Sequence, residues 1–191
     1  MPLSPEQMRK VRDFNPRRIE RFRETMKKKR DARLKIAYER ARKEIGTLSR
    51  RDLFIAGLYL YWGEGNKSGQ ANVGISNTDP AVILAFLDWA EVMGMPKEDM
   101  YVRMHLYVDM DVKKEMLYWS KILKLPLSQF RKPYIKTSTL SGITYKTVGH
   151  GTCNLRFENM PMWEYITMAL QYMREQHTRP YLSYERGVRR K

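Results

Sequence analysis

Apolar residues recur along this chain with two different periods, and the switches between them mark the predicted elements. From Leu53 to Trp62 the chain is apolar almost without a break, and Ser49-x-x-Asp52 just before it has the form of a capping box. A helix is therefore predicted from there to Gly63-Glu64-Gly65, followed by the turn formers Asn66, Lys67, Ser68 and Gly69. Ala71, Val73 and Ile75 then alternate with Asn72, Gly74 and Ser76, the period of a strand with one buried face. Asp79 caps and Pro80 opens a helix whose core stripe is Val82, Ile83, Phe86, Trp89, Ala90 and Met93, closed by Gly94. Met100 to Val108 is the clearest strand, with Met100, Val102, Met104, Leu106 and Val108 to one side and Tyr101, Arg103, His105 and Tyr107 to the other. Asp109 or Asp111 caps the next helix, which buries Val112, Met116, Trp119 and Leu123 and ends before Pro126. Phe130 to Thr137 is a basic strand whose Pro133 calls for an edge position or an irregularity. A short strand is expected at Ile143–Val148. Thr152–Glu158 alternates again, with Cys153, Leu155 and Phe157 inward. Met162, Trp163, Ile166, Ala169, Leu170 and Met173 form the last helical stripe.

The two ends follow a different pattern. Ser4, Pro5 and Gln7 make a helix start, Asn15-Pro16 breaks and restarts it, and the second helix is expected to reach Ile45 with Gly46 as its stop. Its apolar positions, Ile19, Phe22, Met26, Leu34, Ala37, Ala41 and Ile45, are sparse, and MKKKRDARLK spreads positive charge nearly all round. It reads equally as a solvated helix and as an arm along phosphates. From Arg174 the apolar period is lost, and a basic tail is expected. The organisation is thus a basic helical arm over residues 1–47, a domain over 48–175 and a basic C-terminal tail over 176–191, in an α+β fold with helices on one face of a mainly antiparallel sheet.

Composition bounds the partner more than the fold. With 191 residues the chain has room for one substantial core. Lys and Arg number 36 against 21 Asp and Glu, a net charge of +15 that makes an anionic partner, nucleic acid by default, the expectation. The stretch through Asp52 carries +10 of it. One cysteine excludes an intramolecular disulfide, and no Cys/His cluster has zinc spacing. No apolar run approaches the length of a membrane span, so the expectation is a cytoplasmic protein without membrane contact.

If helices cover one face of the sheet, the other is open. Its side chains are then Asn72, Ser76, Tyr101, Arg103, His105, Tyr107, Lys132, Tyr134, Lys136, Asn154 and Arg156, with Glu158 the one acid. Arg, Lys and Asn are the types that contact phosphates and base edges, and Tyr and His do either. His105 reads as a contact rather than a base, His150 between two glycines as a turn, and Cys153 as inert. No nucleophilic triad or phosphate-cradling glycine loop is present.

FIAGLYLYWGEGNKSG followed by NVGISNTDP resembles the LAGLIDADG motif of the homing endonucleases, with its sequel of a strand ending in Asn-x-Asp and an amphipathic helix. The likeness spans about Leu48 to Met173. Glu64 stands where the family has Asp, Tyr59 where it has a small residue, and the Glu64–Asn72 segment is short for the family's first hairpin. The resemblance implies a homodimer through the Leu53–Gly65 helix, with Gly57, Leu60 and Tyr61 on the contacting face. It implies Glu64 as ligand of a catalytic Mg²⁺ shared between copies, since Mg²⁺ takes a couple of carboxylates and keeps its waters. Lys67 would help position water or phosphate. It implies cleavage of double-stranded DNA saddled by the sheet. The alternatives are a non-catalytic, sequence-specific DNA-binding regulator and an RNA-binding protein like the maturases of that fold.

Overall fold

In the computed structural model the described residues are 4–8, 16–67, 69, 71–136 and 149–188; of 16, 17 and 179–188 only the backbone is described. The chain forms two compact units, Met1–Leu48 and Ser49–Lys191.

In the first, Ser4 and Gln7 cap reciprocally: the Gln7 N–H donates to Ser4 Oγ at 3.2 Å and the Ser4 N–H to Gln7 Oε1 at 2.9 Å. Helix α1 runs Pro16–Ile45 and stops at Gly46, whose φ of +60° suits a residue without Cβ and whose N–H closes on Arg42 O at 3.1 Å. Every side chain described on α1 is exposed, so burial does not hold it. Ion pairs one turn apart, Arg23–Glu20, Arg42–Glu39 and Arg40–Glu44, lie along it, each worth a few tenths of a kcal/mol, about 0.3–0.5.

The second unit runs α2 (Arg50–Glu64), β1 (Asn72–Asn77), α3 (Pro80–Val92), β2 (Tyr101–Tyr107), α4 (Val112–Leu123), β3 (Phe130–Lys136), β4 (Thr152–Glu158) and α5 (Met160–Val188). The predicted capping box opens α2: the Asp52 N–H donates to Ser49 Oγ at 3.2 Å and the Ser49 N–H to Asp52 Oδ2 at 2.8 Å. Ser49 Oγ also donates to Asp52 Oδ2 at 2.7 Å, and that bond first, then the one from the Ser49 N–H, holds the Asp52 carboxyl below its ordinary pKa. Asp79 caps α3 and Asp111, not Asp109, caps α4. Strand β2 ends at Tyr107, leaving Val108 in a turn and 69% exposed rather than inward.

The sheet order is β1-β4-β2-β3. Pairs β1–β4 and β4–β2 are antiparallel, but β2–β3 is parallel, because α4 carries the chain back before β3 begins. The sheet is therefore mixed. Pro133 sits on the edge strand β3, and between Arg103 and His105 the register shifts, so both meanings of the proline hold. The strand expected at 143–148 lies outside the described residues. Helix α5 continues through the stretch expected to be a tail, and bonds one turn apart accompany it there: Gln171 Nε2 donates to Glu175 Oε1 at 3.2 Å and Thr178 Oγ1 to Arg174 O at 3.0 Å. No described helix is long and apolar enough to cross a membrane.

One parity of β1, β2 and β4 makes the core, and β3 adds only Phe130. Val73, Ile75, Val102, Met104, Leu106, Cys153, Leu155 and Phe157 are packed with Phe86, Trp89, Trp119 and Ile166 from the helices.

Candidate nucleic-acid interface

The opposite parity of the strands is exposed or half-buried except at Gly74, Tyr101 and Asn154, and register places its residues. His105 lies mid-sheet, opposite Thr152 on β4 and Tyr134 on β3. Tyr107 pairs with Lys136, Arg103 with both Asn154 and Arg131, and Tyr101 with Arg156. On the far edge Asn72 pairs with Glu158 and Ser76 with Asn154. Arg103, Lys132, Tyr134 and Lys136 are exposed; His105, Tyr107, Arg156, Asn72 and Ser76 are half-buried.

Two of the expected contact residues are occupied within the sheet. Asn154 is 3% exposed and its Oδ1 accepts from Arg156 Nε at 2.8 Å, so it orients that guanidinium instead of reaching a ligand. Tyr101 is 8% exposed: Arg131 lies over its ring at 3.3 Å, and its hydroxyl donates to Glu158 Oε1 at 2.5 Å. Glu158, the acid expected to interrupt the positive face, is thereby engaged, with Arg131 also 3.8 Å from it.

Arg131 is the residue that sequence alternation missed. Counting by twos from Lys132, Tyr134 and Lys136 assigns Arg131 to the core side. The extra residue at Pro133 reverses parity upstream, which brings Arg131 onto the Arg103 register and leaves Lys132 within the irregularity. Pro133 was the available signal.

Among the described residues, the charges that act on His105 are of one sign. Burial first, then the charges of Lys136, Arg156 and Arg103, push the imidazole pKa below its ordinary value. The Tyr134 ring meets it edge-on at 5.6 Å between centroids. This is an arrangement that favours an incoming anion and disfavours a second cation.

Glu64 is exposed at the last position of α2. Lys67 turns back instead: its Nζ donates to Gly65 O at 3.0 Å, closing a carbonyl at the helix C-terminus, where a cation is favoured. After Gly65 the chain makes one antiparallel bridge, Gly65 with Ile75, and the Asn66 N–H donates to Gly74 O at 2.8 Å. Among the described residues no three acids, histidines or cysteines converge as a metal site. A single carboxylate beside helix-terminal carbonyls does not make a Mg²⁺ site, so one copy of the chain does not fit the ion.

The face expected to meet a second copy is largely turned inward. A Cβ on Gly57 would lie 2.0 Å from the Trp89 ring, so the glycine lets α3 of the same chain approach α2. Tyr61 is 3% exposed, stacks on Trp89 at 5.6 Å and donates its hydroxyl to Asn66 O at 2.6 Å. Burial raises its pKa to about 12. Leu60 is half-buried against the core. The outward side of α2 carries Ala56, Tyr59 and Gly63.

His150 does occupy a turn, between Gly149 and Gly151 at φ +62° and +70°. It also contacts Glu115 Oε2 through Nδ1 at 2.6 Å and stacks on the Tyr118 ring at 3.3 Å, a pairing of distant residues that spacing does not reveal. Cys153 is fully buried, and burial raises its thiol pKa well beyond the reactive range.

No family model matches the chain, and no curated protein or solved structure matches it significantly.

Proposed function

We propose that this chain binds double-stranded DNA through the open face of its sheet, on a LAGLIDADG-like fold. The observation that carries the reading is the charge of that face: Arg103, Arg156 and Lys136 surround His105, while Glu158, the one carboxylate on the four strands, is engaged by Tyr101 and Arg131. Cations spaced along neighbouring strands match the phosphates flanking a groove, and a strand-built surface enters the major groove. The fold reading is supported by α2 ending on Glu64, by the Gly65–Ile75 bridge as a rudiment of the family's first hairpin, and by a helix opening at Asp79-Pro80 directly after β1. The parallel β2–β3 pair departs from it.

A homodimer through α2 would use Ala56, Tyr59, Leu60 and Gly63, since Gly57 and Tyr61 are committed to the core. The exposed position of Glu64 favours a second reading, hydrolysis of the bound DNA at a Mg²⁺ ion shared by two copies. The test is selection from a random duplex library, with fragment ends mapped in Mg²⁺ and in Ca²⁺ for wild type and Glu64→Gln. A shared motif with intact ends supports binding alone. Ends at a fixed position, seen only for wild type in Mg²⁺, establish the nuclease. Preference for structured RNA over duplex DNA at matched salt overturns the proposal in favour of the maturase-like alternative.

A further inference from the structure

We propose that nucleic-acid binding on the open face takes up a proton at His105, so that the face binds more tightly as pH falls through the imidazole range. This rests on the reading of the face as a nucleic-acid surface.

The geometry is that of an imidazole set among cations on three adjacent strands. From its own strand, Arg103 and Tyr107 flank His105 two residues away on the same face, with Tyr101 beyond Arg103. From β3 it meets Tyr134 directly, Lys136 two register pairs further along, and in the other direction Arg131, with Lys132 in the irregularity between. From β4 it meets Thr152, then Asn154, Arg156 and finally Glu158. Glu158 is engaged by Tyr101 and Arg131 at the far end of β4, and β1 contributes only Asn72 and Ser76 to this face.

Burial first, and then the fields of Lys136, Arg156 and Arg103, disfavour the imidazolium in the free protein. Phosphates that dock on those three cations cancel the field that disfavours imidazolium. Both ring nitrogens then become donors towards phosphate oxygens or the acceptors of a guanine edge. Where this gain outweighs the burial that the ligand adds, the pKa of His105 is higher in the complex than in the free protein. By linkage the association constant is largest below the free pKa, falls between the two values and is smallest above the bound one. One proton taken up in full changes the constant by about tenfold per pH unit.

The experiment is fluorescence anisotropy of a duplex DNA at constant ionic strength between pH 5.5 and 8, for wild type, His105→Gln and variants of the two other histidines of the chain, His150→Gln and His177→Gln. Calorimetry in two buffers of different ionisation heat counts the protons directly. The expected result is several-fold tighter binding per unit of falling pH in wild type and in the two control variants, with a flat profile and no proton uptake for His105→Gln. The His105 ring signal of wild type, titrated by NMR with and without DNA, reports the same shift without any substitution and should move to higher pH in the complex. Strong binding by wild type with no pH dependence, or an equal dependence in His105→Gln, overturns the proposal and leaves the DNA reading standing. No binding at any pH removes both.

Discussion

The two faces of the one sheet are drawn from alternate residues of the same strands, yet they are held by opposite physics. On the helix side, Val73, Ile75, Val102, Met104, Leu106, Cys153 and Leu155 are wholly buried, and Phe157 nearly so. Each methylene there contributes about 0.8 kcal/mol by leaving water, and each void would cost packing as well. On the other side, Arg103, Tyr134 and Lys136 remain in water, where charge contributes little to stability and much to the field that a ligand meets. The difference teaches that the fold does not need the charge. A face whose like charges gain the chain nothing in folding is better explained by what it meets.

Substitutions on the two faces should separate by the size of their effect on stability. Trp119→Ala removes a fully buried indole whose Nε1 donates to His150 O at 2.8 Å, and thermal unfolding should report a loss of about 3–5 kcal/mol. Gly57→Ala forces the Trp89 ring away from α2, at about 1–3 kcal/mol in denaturant unfolding, with any loss of DNA affinity following the loss of fold. Ser49→Ala strips the α2 capping box, an expected loss of about 1 kcal/mol by the same measurement. Arg103→Gln, at an exposed side chain, should change stability least, within about 0.5 kcal/mol, and adding Arg156→Gln should cost about 1 kcal/mol more for the bond that Asn154 Oδ1 loses. If the double variant unfolded like the core variants, the two faces would not be separable.

Much of this was legible in the sequence because the signals were local. Ser49 with Asp52, Asp79 with Pro80, Gly46 after Ile45 and the alternation of Val73, Val102 and Leu155 each act within a few residues, and each appears where expected. The failures share a physical origin in contacts made across the fold. Gly57 looked available to a second copy until Trp89, 32 positions later, was seen against it. Asn154 and Tyr101 had the right parity for ligand contact but are used by Arg156 and by Arg131 with Glu158. Arg131 was lost through one added residue at Pro133, since a slip of one reverses every side chain upstream. The parallel β2–β3 pair could not be read from strands whose apolar pattern is the same in either direction.

The most direct test of the account is the salt dependence of duplex-DNA binding for wild type and the Arg103→Gln, Arg156→Gln double variant, both verified as folded. Each phosphate contact contributes about 0.9 to the slope of log K against log salt. The account predicts weaker binding and a slope shallower by about 2 for the double variant, uniformly across sequences or more severely at a preferred one. An unchanged slope and affinity would mean that the DNA, if bound at all, is held elsewhere on this basic chain, and that the open face of the sheet is not its interface.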